Sequence, residues 1–392
     1  MKEMRKLGEI IELFDKRNKS LKSTEVLGIS IDKEFMPSVA NTIGTDLSNY
    51  KLISKNIFAC NPMHVGRDER LPVSLYLRET PALVSPAYFM FKIKNEDEVL
   101  PEFLMLLFKR EEFDRNCWFR TDGSVRGGIT WDDICEIKLP VPDIKEQQKI
   151  VDTYNAITNR IQIKQKINEN LEKTAQCLFE KYFSKYNNFY ENKNELLDLP
   201  KEWKYAYVGD FCKSNMESIS LRLSFDSVQY LDTGSITNNK IEELQILSVS
   251  DDLPSRAKRI VKDTDIIFST VRPNLKHYGI LYNPAENMIV STGFAVLHNT
   301  SNIVSNEFLY MWITNEKVLT YLQSIAENSV STYPSINADD ITNIKIVIPS
   351  NEILIELTKV FKQTYIQINY NNQEISRLNN FRELLIAQIL KR

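Results

Sequence analysis

An apolar repeat with alternating spacings of four and three residues runs through the middle of the chain and returns at its C-terminus. The first copy follows Pro142, and no proline or glycine interrupts it before Pro200. The positions of the first copy are Ile150, Tyr154, Ile157, Ile161, Lys164, Asn168, Leu171, Ala175, Leu178 and Tyr182. Those of the second copy, each 207 residues later, are Leu357, Phe361, Thr364, Ile368, Asn371, Ile375, Leu378, Arg382, Leu385 and Ile389. Such spacing over four heptads predicts two long helices. Because neither helix can bury its apolar stripe alone, we expect them to pair with each other as a coiled coil, and not to pack only on their own neighbouring domains.

The segments that precede the two helices repeat as well. Residues 84–90, 102–106 and 132–137 resemble residues 290–296, 307–311 and 339–344, at offsets of 206, 205 and 207. The residues between these segments differ freely. Repeated segments at constant spacing, with different residues between them, indicate a protein with two binding units. The same pattern predicts a pseudo-two-fold molecule.

Composition limits the class of protein. The chain has 392 residues, 43% hydrophobic and 26% charged, which is typical of a globular protein of two or three domains. No apolar run is long enough to span a membrane, and the N-terminus does not resemble a secretory signal. Five scattered cysteines favour buried thiols in a reducing cytoplasm over disulfides or a zinc site. The net charge of −3 means that a nucleic-acid surface would have to be a local basic patch.

Motifs for catalysis are missing from the sequence. There is no phosphate-binding P-loop, and neither Asn61-Pro62-Met63-His64 nor Asn283-Pro284-Ala285-Glu286 matches the tetrapeptide of adenine methyltransferases. The histidines are far apart, which argues against a metal site. The acidic pairs at 132–133 and 339–340 precede apolar runs and are interpreted as turn or helix-cap residues. We therefore expect a chain without catalytic residues.

Several motifs carry a resemblance to a known family. Residues 139–142 read Leu-Pro-Val-Pro and are followed by Glu-Gln-Gln-Lys-Ile at 146–150, then by Lys-Ile-Asn-Glu-Asn-Leu-Glu-Lys-Thr-Ala-Gln at 166–176. Residues 7–10 and 378–390 add to the match. With these motifs the chain resembles the specificity (HsdS) subunits of type I restriction-modification systems over essentially its full length. The second helix departs from the pattern, with Leu354 where Gln147 would fall and Arg382 in place of Ala175.

The resemblance implies an α+β fold of two tandem α/β target recognition domains separated by two long helices that form an antiparallel coiled coil. The expected domains are residues 1–143 and 201–349 for recognition, 144–185 and 350–392 for the spacer helices, and 186–200 for a linker. Each recognition domain would read one half of a bipartite, asymmetric site in double-stranded DNA, and the coiled coil would set the spacing between the halves.

The resemblance also places the catalysis on other proteins. Two modification subunits that use S-adenosylmethionine, and restriction subunits that use ATP and magnesium, would dock on the helical regions. This chain would hold no cofactor of its own and would be a cytoplasmic, non-catalytic subunit with no membrane partner.

Candidate DNA contacts are the polar and basic loops, because Arg and Asn side chains suit guanine and adenine edges and glycines allow close backbone approach. In the first repeat they are Asn61, His64, Arg67, Arg70, Ser124 and Arg126. In the second repeat they are Arg256, Lys258, Arg259, Arg272, Asn274, Lys276, Tyr278 and Tyr333. Each could instead belong to a solvated loop or an ion pair; Arg67, for example, could pair with Asp68 or Glu69.

Two other interpretations stay open at this point. One is the recognition subunit of a related restriction system in which modification and cleavage share one polypeptide; neighbouring genes would separate it from the first. The other is a coiled-coil scaffold that binds only protein, against which the arginine clusters at 67–70, 256–259 and 272–278 argue.

Overall fold

The computed structural model of the chain describes residues 3–38, 44–63, 65–121, 127–187, 197–219, 225–250, 253–329 and 334–388. The chain divides into two compact units, residues 1–161 with 377–392 and residues 162–376. None of the helices in the described ranges combines the length and the hydropathy that a membrane crossing requires.

The first repeat consists of short strands and helices that lead into a long helix. Its strands are β1 (Glu3–Lys6), β2 (Ile11–Leu13), β3 (Val26–Ile29), β4 (Phe35–Pro37), β5 (Lys51–Ile53), β6 (Ile57–Cys60), β7 (Val73–Tyr76), β8 (Ala82–Val84), β9 (Phe89–Ile93) and β10 (Lys138–Val141). Its helices are α1 (Leu7–Ile10), α2 (Val65–Asp68), α3 (Pro101–Phe108), α4 (Glu111–Phe119), α5 (Trp131–Cys135) and the long α6 (Ile144–Phe183).

The second repeat has the same order of elements and one additional hairpin. Its strands are β11 (Lys204–Tyr207), β12 (Cys212–Ser214), β13 (Ser227–Leu231), β14 (Ile236–Thr237), β15 (Lys240–Ile241), β16 (Gln245–Ser248), β17 (Ala257–Ile260), β18 (Ile266–Ser269), β19 (Tyr278–Ile280), β20 (Met288–Ser291), β21 (Phe294–Asn299) and β22 (Lys345–Ile348). Its helices are α7 (Asn306–Ile313), α8 (Glu316–Glu327), α9 (Ala338–Thr342) and the long α10 (Asn351–Gln388).

Sheet topology is identical in the two repeats. The antiparallel main sheet has the order β2-β9-β6-β7 in the first repeat and β12-β21-β18-β19 in the second. A second sheet, β4-β3-β8-β5 or β16-β13-β20-β17, contains one parallel pair in each case. The strand that opens each repeat pairs with the strand just before the long helix, β1 with β10 and β11 with β22. The duplication seen in the sequence is therefore a duplication of the whole topology.

Aromatic side chains fill the space between the main sheet and the helices. In the first repeat Phe58 stacks on Phe91 with ring centroids 5.0 Å apart, and the edge of Phe108 meets Phe58 at 5.7 Å. In the second unit Trp312 lies 5.0 Å from Phe179 and 5.2 Å from Phe183 of α6. All of these rings are almost fully buried. Because a buried aromatic side chain makes a large apolar contribution, the first cluster holds α3 to the main sheet and the second holds α6 to α7.

The additional hairpin β14–β15 covers the edge strand β19. Asn238 and Asn239 form its two-residue turn with φ values of 47° and 64°, the left-handed conformation that such hairpin turns require. The Asn239 N–H donates to the Tyr278 carbonyl at 3.0 Å, and its side-chain oxygen accepts from the Ile280 N–H at 2.8 Å. A Cβ on Gly279 would lie 2.8 Å from the Ile236 Cδ1 and 3.3 Å from the Asn239 Cα, so a side chain there would crowd the hairpin. The equivalent strand β7 instead lines a cavity of about 390 Å³.

A buried ion pair fixes the turn between β3 and β4. Lys33, at the tip of this turn, is only 5% exposed, and its Nζ lies 2.6 Å from Asp114 of α4. Nζ also donates to the Leu71 carbonyl at 3.0 Å, while the same Asp114 oxygen accepts from the Leu71 N–H at 3.0 Å. Burial lowers the pKa of Lys33, and Asp114 opposes that shift. The Asp114 carboxylate thus connects the turn between β3 and β4, helix α4 and the segment that leads into β7.

The N-termini of the two long helices differ at the position where the repeats diverge in sequence. Gln147 is fully buried; its Nε2 donates to the carbonyls of Glu98 and Pro142 at 2.8 Å, and its Oε1 accepts from the Leu100 N–H at 2.9 Å. Leu100 is the residue before α3. Its counterpart in the second repeat is Ser305, the residue before α7, and the Ser305 side chain accepts from the Phe308 N–H and caps α7. Leu354, at the position equivalent to Gln147, is instead buried in an apolar core.

The variant Gln147→Leu is expected to lose about 2 kcal/mol of stability, because it leaves buried backbone polar groups without partners. The free energy of unfolding from urea titration measures the loss. Gln148→Leu is the matched control, since the exposed Gln148 donates to Asp152 within the helix, and it should change stability by less than about 0.5 kcal/mol. Equal values for the two variants would contradict the role given to Gln147.

In the second unit the long helices run antiparallel. Lys164 Nζ lies 2.9 Å from Glu374 Oε2, whereas Asn168, one turn later in α6, contacts Asn371, almost one turn earlier in α10, at 2.7 Å. The buried seam positions are Ile157, Ile161, Ala175, Leu357, Phe361, Ile368, Asn371 and Ile375. The other described seam positions are half-buried: Ile150, Tyr154, Lys164, Asn168, Leu171, Leu178, Tyr182, Thr364, Leu378, Arg382 and Leu385. The predicted α+β fold with two long antiparallel helices is confirmed.

The cysteines follow the sequence prediction only in part. All five are unpaired, and Cys60, Cys117 and Cys212 are buried. Burial raises the pKa of the Cys60 and Cys212 thiols to about 12, so both stay protonated near neutral pH. Cys177, however, is exposed on α6, and the expectation of a buried thiol is wrong there because its position lies off the apolar seam.

Candidate nucleic-acid interface

Loops of both sheets gather at one edge of each main sheet. Strands β2 and β6 both run antiparallel to β9, so the loops that follow β2 and β6 leave the sheet on the side where β9 begins. The same holds for β12, β18 and β21. We call this side the loop edge: residues 14–25, 61–72 and 85–88 in the first repeat, and residues 215–226, 270–277 and 292–293 in the second, apart from those outside the described residues.

At the first loop edge, the loop after β6 is bound to the end of the glycine-rich segment. The Gly66 N–H donates to the Gly127 carbonyl at 2.8 Å, and the Ile129 N–H donates to the Pro62 carbonyl at 3.0 Å. A Cβ on Gly66 would lie 2.8 Å from the Gly127 Cα, so only glycine permits this approach. The two segments that the sequence proposed separately are therefore neighbours.

The second loop edge repeats this arrangement with different residues. The Arg272 N–H donates to the Pro334 carbonyl at 3.0 Å, and the Ile336 N–H donates to the Thr270 carbonyl at 2.8 Å. Ile336 stands 207 residues after Ile129, so the same backbone contact holds both loops in place. The sequence did not predict that these segments touch.

Candidate side chains of the first repeat are engaged to different degrees. Asn61 is half-buried, and its side-chain oxygen accepts from the Met63 N–H at 3.1 Å. Arg67 is exposed but forms a two-point contact with Asp68 at 2.7 and 3.0 Å, which raises the pKa of the guanidinium. Arg70 is exposed, 3.6 Å from Asp32. His64, Ser124 and Arg126 lie outside the described residues.

In the second repeat, the turn between β20 and β21 is hydrogen-bonded to β17, which carries Lys258 and Arg259, and to the loop after β18. The Thr292 N–H donates to the Arg256 carbonyl at 2.8 Å, and the half-buried Arg259 donates to the Thr292 carbonyl at 3.3 Å. The adjacent Gly293 carbonyl accepts from the Thr270 N–H at 2.9 Å. Burial lowers the pKa of Arg259. The side chains of Arg256 and Lys258 are exposed beside this junction.

The loop between β18 and β19 holds two basic residues in an uncommon backbone conformation. Arg272 has φ +48° and Lys276 has φ +58°, on either side of a short turn at Pro273–Leu275. Non-glycine residues at positive φ persist only where their surroundings impose the conformation, and they cluster at functional sites. The loop also exposes Asn274, and the Lys276 Nζ lies 3.2 Å from Glu316.

Tyr278 corrects the sequence prediction, and Tyr333 lies outside the described residues. Tyr278 belongs to β19, is 3% exposed and stacks on Phe268 with centroids 5.4 Å apart. Burial raises the pKa of its hydroxyl. The prediction that Tyr278 contacts DNA is wrong, because the side chain is part of the core beneath the loop edge.

A lysine-rich loop that the sequence reasoning overlooked lies at the first loop edge. Lys16, Lys19 and Lys22 are all exposed in the loop that follows β2. The buried Asn18 holds this loop by donating to the carbonyls of Ser23 at 2.9 Å and Leu47 at 3.3 Å. The signal was present in the sequence, since four of residues 16–22 are cationic.

The acidic pairs lie in the first turns of α5 and α9, whose N-caps are Thr130 and Asn337, and Asp340 takes part in the cap of α9. The Thr130 hydroxyl accepts from the Asp133 N–H at 3.1 Å at the start of α5. At the start of α9, Asn337 and Asp340 bond each other's backbone N–H groups at 3.0 and 2.8 Å. The described part of the chain contains no group of three histidine, cysteine or acidic side chains that could hold a metal ion. The loop edges thus offer cations, amides and hydroxyls for binding.

Known proteins resemble this chain in sequence and in fold. A family model described as "Type I restriction modification DNA specificity domain" matches residues 1–173 and again residues 200–380. The specificity subunit of the type I restriction enzyme HindI of Haemophilus influenzae is 31% identical over 175 residues, 44% of this chain and 37% of that protein. The MjaIX specificity subunit of Methanocaldococcus jannaschii is 26% identical over 313 residues, 75% of this chain and 69% of that protein.

A solved structure shares the fold. The crystal structure of the S subunit of a type I restriction-modification system from M. genitalium has a TM-score of 0.60 at 14% identity, and the match covers 98% of this chain and 94% of that one. The sequence match to the Haemophilus protein spans little more than a third of its length. The structural match spans nearly the whole of both chains.

Proposed function

We propose a function from the premise that this chain belongs to the family of specificity subunits of type I restriction-modification systems. In this proposal the chain reads a bipartite, asymmetric site in double-stranded DNA, one half with each repeat. The observation that carries it is the doubled loop edge: each repeat joins the same two loop segments through the same backbone contact, while the exposed side chains differ between them. Two loop edges with the same backbone arrangement but different exposed side chains suit a DNA site with two different halves.

DNA recognition would depend on two kinds of contact, those with phosphates and those with base edges. Exposed cations such as Lys16, Lys258 and Arg256 would bind phosphates, which gives affinity and orientation. Polar side chains in the loops, among them Asn274 and Arg272, would reach base edges in the major groove, which gives sequence preference. The paired helices would set the spacing between the half-sites.

Catalysis in this proposal belongs to partner subunits. Two modification subunits would bind S-adenosylmethionine and dock on the helical regions, and restriction subunits would use ATP and magnesium. The chain itself would be a non-catalytic subunit with recognition domains at 1–143 and 201–349, spacer helices at 144–185 and 350–392 and a linker at 186–200. These limits, and the residues assigned to DNA contact, are part of the proposal.

Methylome sequencing of a host that expresses the chain with its modification subunits tests this function. We expect a bipartite adenine-methylation motif with the wild-type chain and its loss with Leu171→Pro, because a proline inside a helix removes a hydrogen bond and disrupts the helix. Ile163→Ala is the matched control on the same helix; Ile163 is 60% exposed, so the motif should persist.

The outcome that contradicts the proposal is equally clear. If the methylome is the same with and without the chain while the modification subunits are present, the chain does not direct methylation. In that case a scaffold that binds only protein becomes the better interpretation.

A further inference from the structure

We propose that a polar network at the centre of the helix pair holds α6 and α10 in a single register and thereby fixes the spacer length that the chain accepts between half-sites. The polar network consists of Lys164, Asn168, Asn371, Asn372 and Glu374. The inference rests on the proposed function, because it concerns the helix pair that would set the spacing.

The polar network is continuous across the two helices. Lys164 Nζ contacts Glu374 at 2.9 Å and Asn371 Oδ1 at 3.0 Å. Asn371 Nδ2 donates to Asn168 Oδ1 at 2.7 Å, and Asn168 Nδ2 donates to Asn372 Oδ1 at 2.8 Å. Asn371 is only 1% exposed, yet both ends of its amide have partners. These side chains are therefore satisfied only in this alignment of the helices.

The network occupies the centre of the duplicated seam. Lys164 and Asn371 are equivalent positions of the two copies, 207 residues apart, and they contact each other directly. Asn168 corresponds by the same offset to Ile375, so the polar residues are not arranged symmetrically. Lys164, Asn168 and Asn371 are three of the five polar positions of the mostly apolar seam; the other two are Thr364 and Arg382. A single polar residue at such a seam position is known to specify register and partner at a cost in stability.

The additional hairpin of the second repeat is attached to the same place. Asn372 Nδ2 donates to the Asn239 carbonyl at 3.2 Å, and Asn238 Nδ2 donates to Glu172 Oε2 of α6 at 2.8 Å. The turn thus contacts α10 at the polar network itself and α6 about one helical turn beyond it. The second repeat is consequently fastened to the helix pair at the point where the register is set.

A slip of one heptad would break every hydrogen bond and ion pair of the polar network. Asn371 would then face Leu171 and Ala175 in place of Asn168, and its buried amide would be left without partners. The apolar seam alone would tolerate the slip better, because it repeats every seven residues. One heptad is about 10.5 Å at ~1.5 Å per residue, which is roughly three base pairs of DNA at ~3.4 Å each.

The test is a triple variant, Lys164→Leu with Asn168→Leu and Asn371→Leu, compared with the wild-type chain by methylome sequencing in the same host. We expect one spacer length for the wild-type chain. For the variant we expect a second class of methylated sites, at least about a tenth of the total, whose spacer differs by about three base pairs. The variant should unfold at a temperature equal to or above that of the wild type, because apolar residues replace polar ones at the seam.

A control and a rescue keep the test independent of folding defects. Ile368→Val weakens the same seam but leaves the polar network intact, so the spacer should stay single. Lys164→Glu should disturb the spacer, and adding Glu374→Lys should restore it by exchanging the two charges.

Several outcomes would overturn the proposal. A folded triple variant with one unchanged spacer would do so, and so would a charge exchange that rescues nothing. If the wild-type chain directs no bipartite motif, the proposed function fails instead. The unfolding temperature of the triple variant then tests the role of the polar network. A triple variant less stable than the wild type shows that the polar network serves stability and not register.

Discussion

Lys33→Ala is expected to destabilise the first repeat by about 3–5 kcal/mol, because it leaves a buried carboxylate without its cation. Asp114 is only 11% exposed at its side chain and would keep only the Leu71 N–H as a partner there. The turn between β3 and β4 would lose its attachment to α4 at the same time. Urea unfolding followed by circular dichroism measures the change in free energy.

Arg78→Ala provides the comparison for Lys33→Ala. Arg78 pairs with Glu25 at a similar distance, 3.0 Å, but both side chains are about half exposed, so the loss should be about 1 kcal/mol or less. Removing both buried charges, with Lys33→Met and Asp114→Leu together, should recover part of the stability lost in Lys33→Ala. If Lys33→Ala and Arg78→Ala cost the same, the buried pair is not what holds the turn.

Replacing Lys16, Lys19 and Lys22 by alanine is expected to weaken DNA binding on the order of 100-fold at ~0.1 M salt. If each lysine binds one phosphate, the plot of log affinity against log salt concentration should become shallower by about 2.7, or about 0.9 for each phosphate that is no longer neutralised. The loss of affinity should be nearly independent of sequence, since phosphate contacts carry little sequence information. Fluorescence anisotropy of the assembled complex on duplexes with and without the methylome-derived motif measures both quantities.

Three cations on the opposite edge of the same sheet give a control with equal change in charge. Lys55 precedes β6, Arg78 follows β7 and Lys94 follows β9, so all three lie at strand ends opposite the loop edge, and Arg78 pairs there with Glu25, the last residue before β3. Their joint replacement by alanine should leave the salt dependence almost unchanged. Equal effects from both triple variants would mean that the net charge, and not the loop after β2, governs binding.

The sequence predicted the helices well because their signal is local and periodic. A seam repeated over four heptads allows few alternatives, and three of its polar positions, Lys164, Asn168 and Asn371, proved to contact one another. The acidic pairs were placed correctly at helix starts for a similar reason, since a cap acts over three residues, although the N-caps themselves are Thr130 and Asn337. The duplication added independent support for the two helices, because the same spacing of apolar residues occurs in both copies.

The loop contacts could not be predicted, because they join residues far apart in the chain. Nothing near Gly66 indicates that Gly127 lies against it, and the contact depends on the order of strands in the sheet. Tyr278 was misjudged because a three-residue strand after a polar loop has no periodicity that separates inside from outside. Lys16, Lys19 and Lys22 were overlooked because only the topology brings their loop to the same edge as Arg67.

Loops that begin and end on neighbouring strands can be exchanged without moving the sheet beneath them. The loop from 270 to 277 leaves β18 and enters β19, and the Ser269 N–H donates to the His277 carbonyl at 2.9 Å across its base. Any replacement has only to bridge two strands about 4.8 Å apart. Insertions and deletions there should be inherited far more readily than changes in the strands. Such a protein can diversify its targets by small exchanges at this edge while its scaffold stays constant.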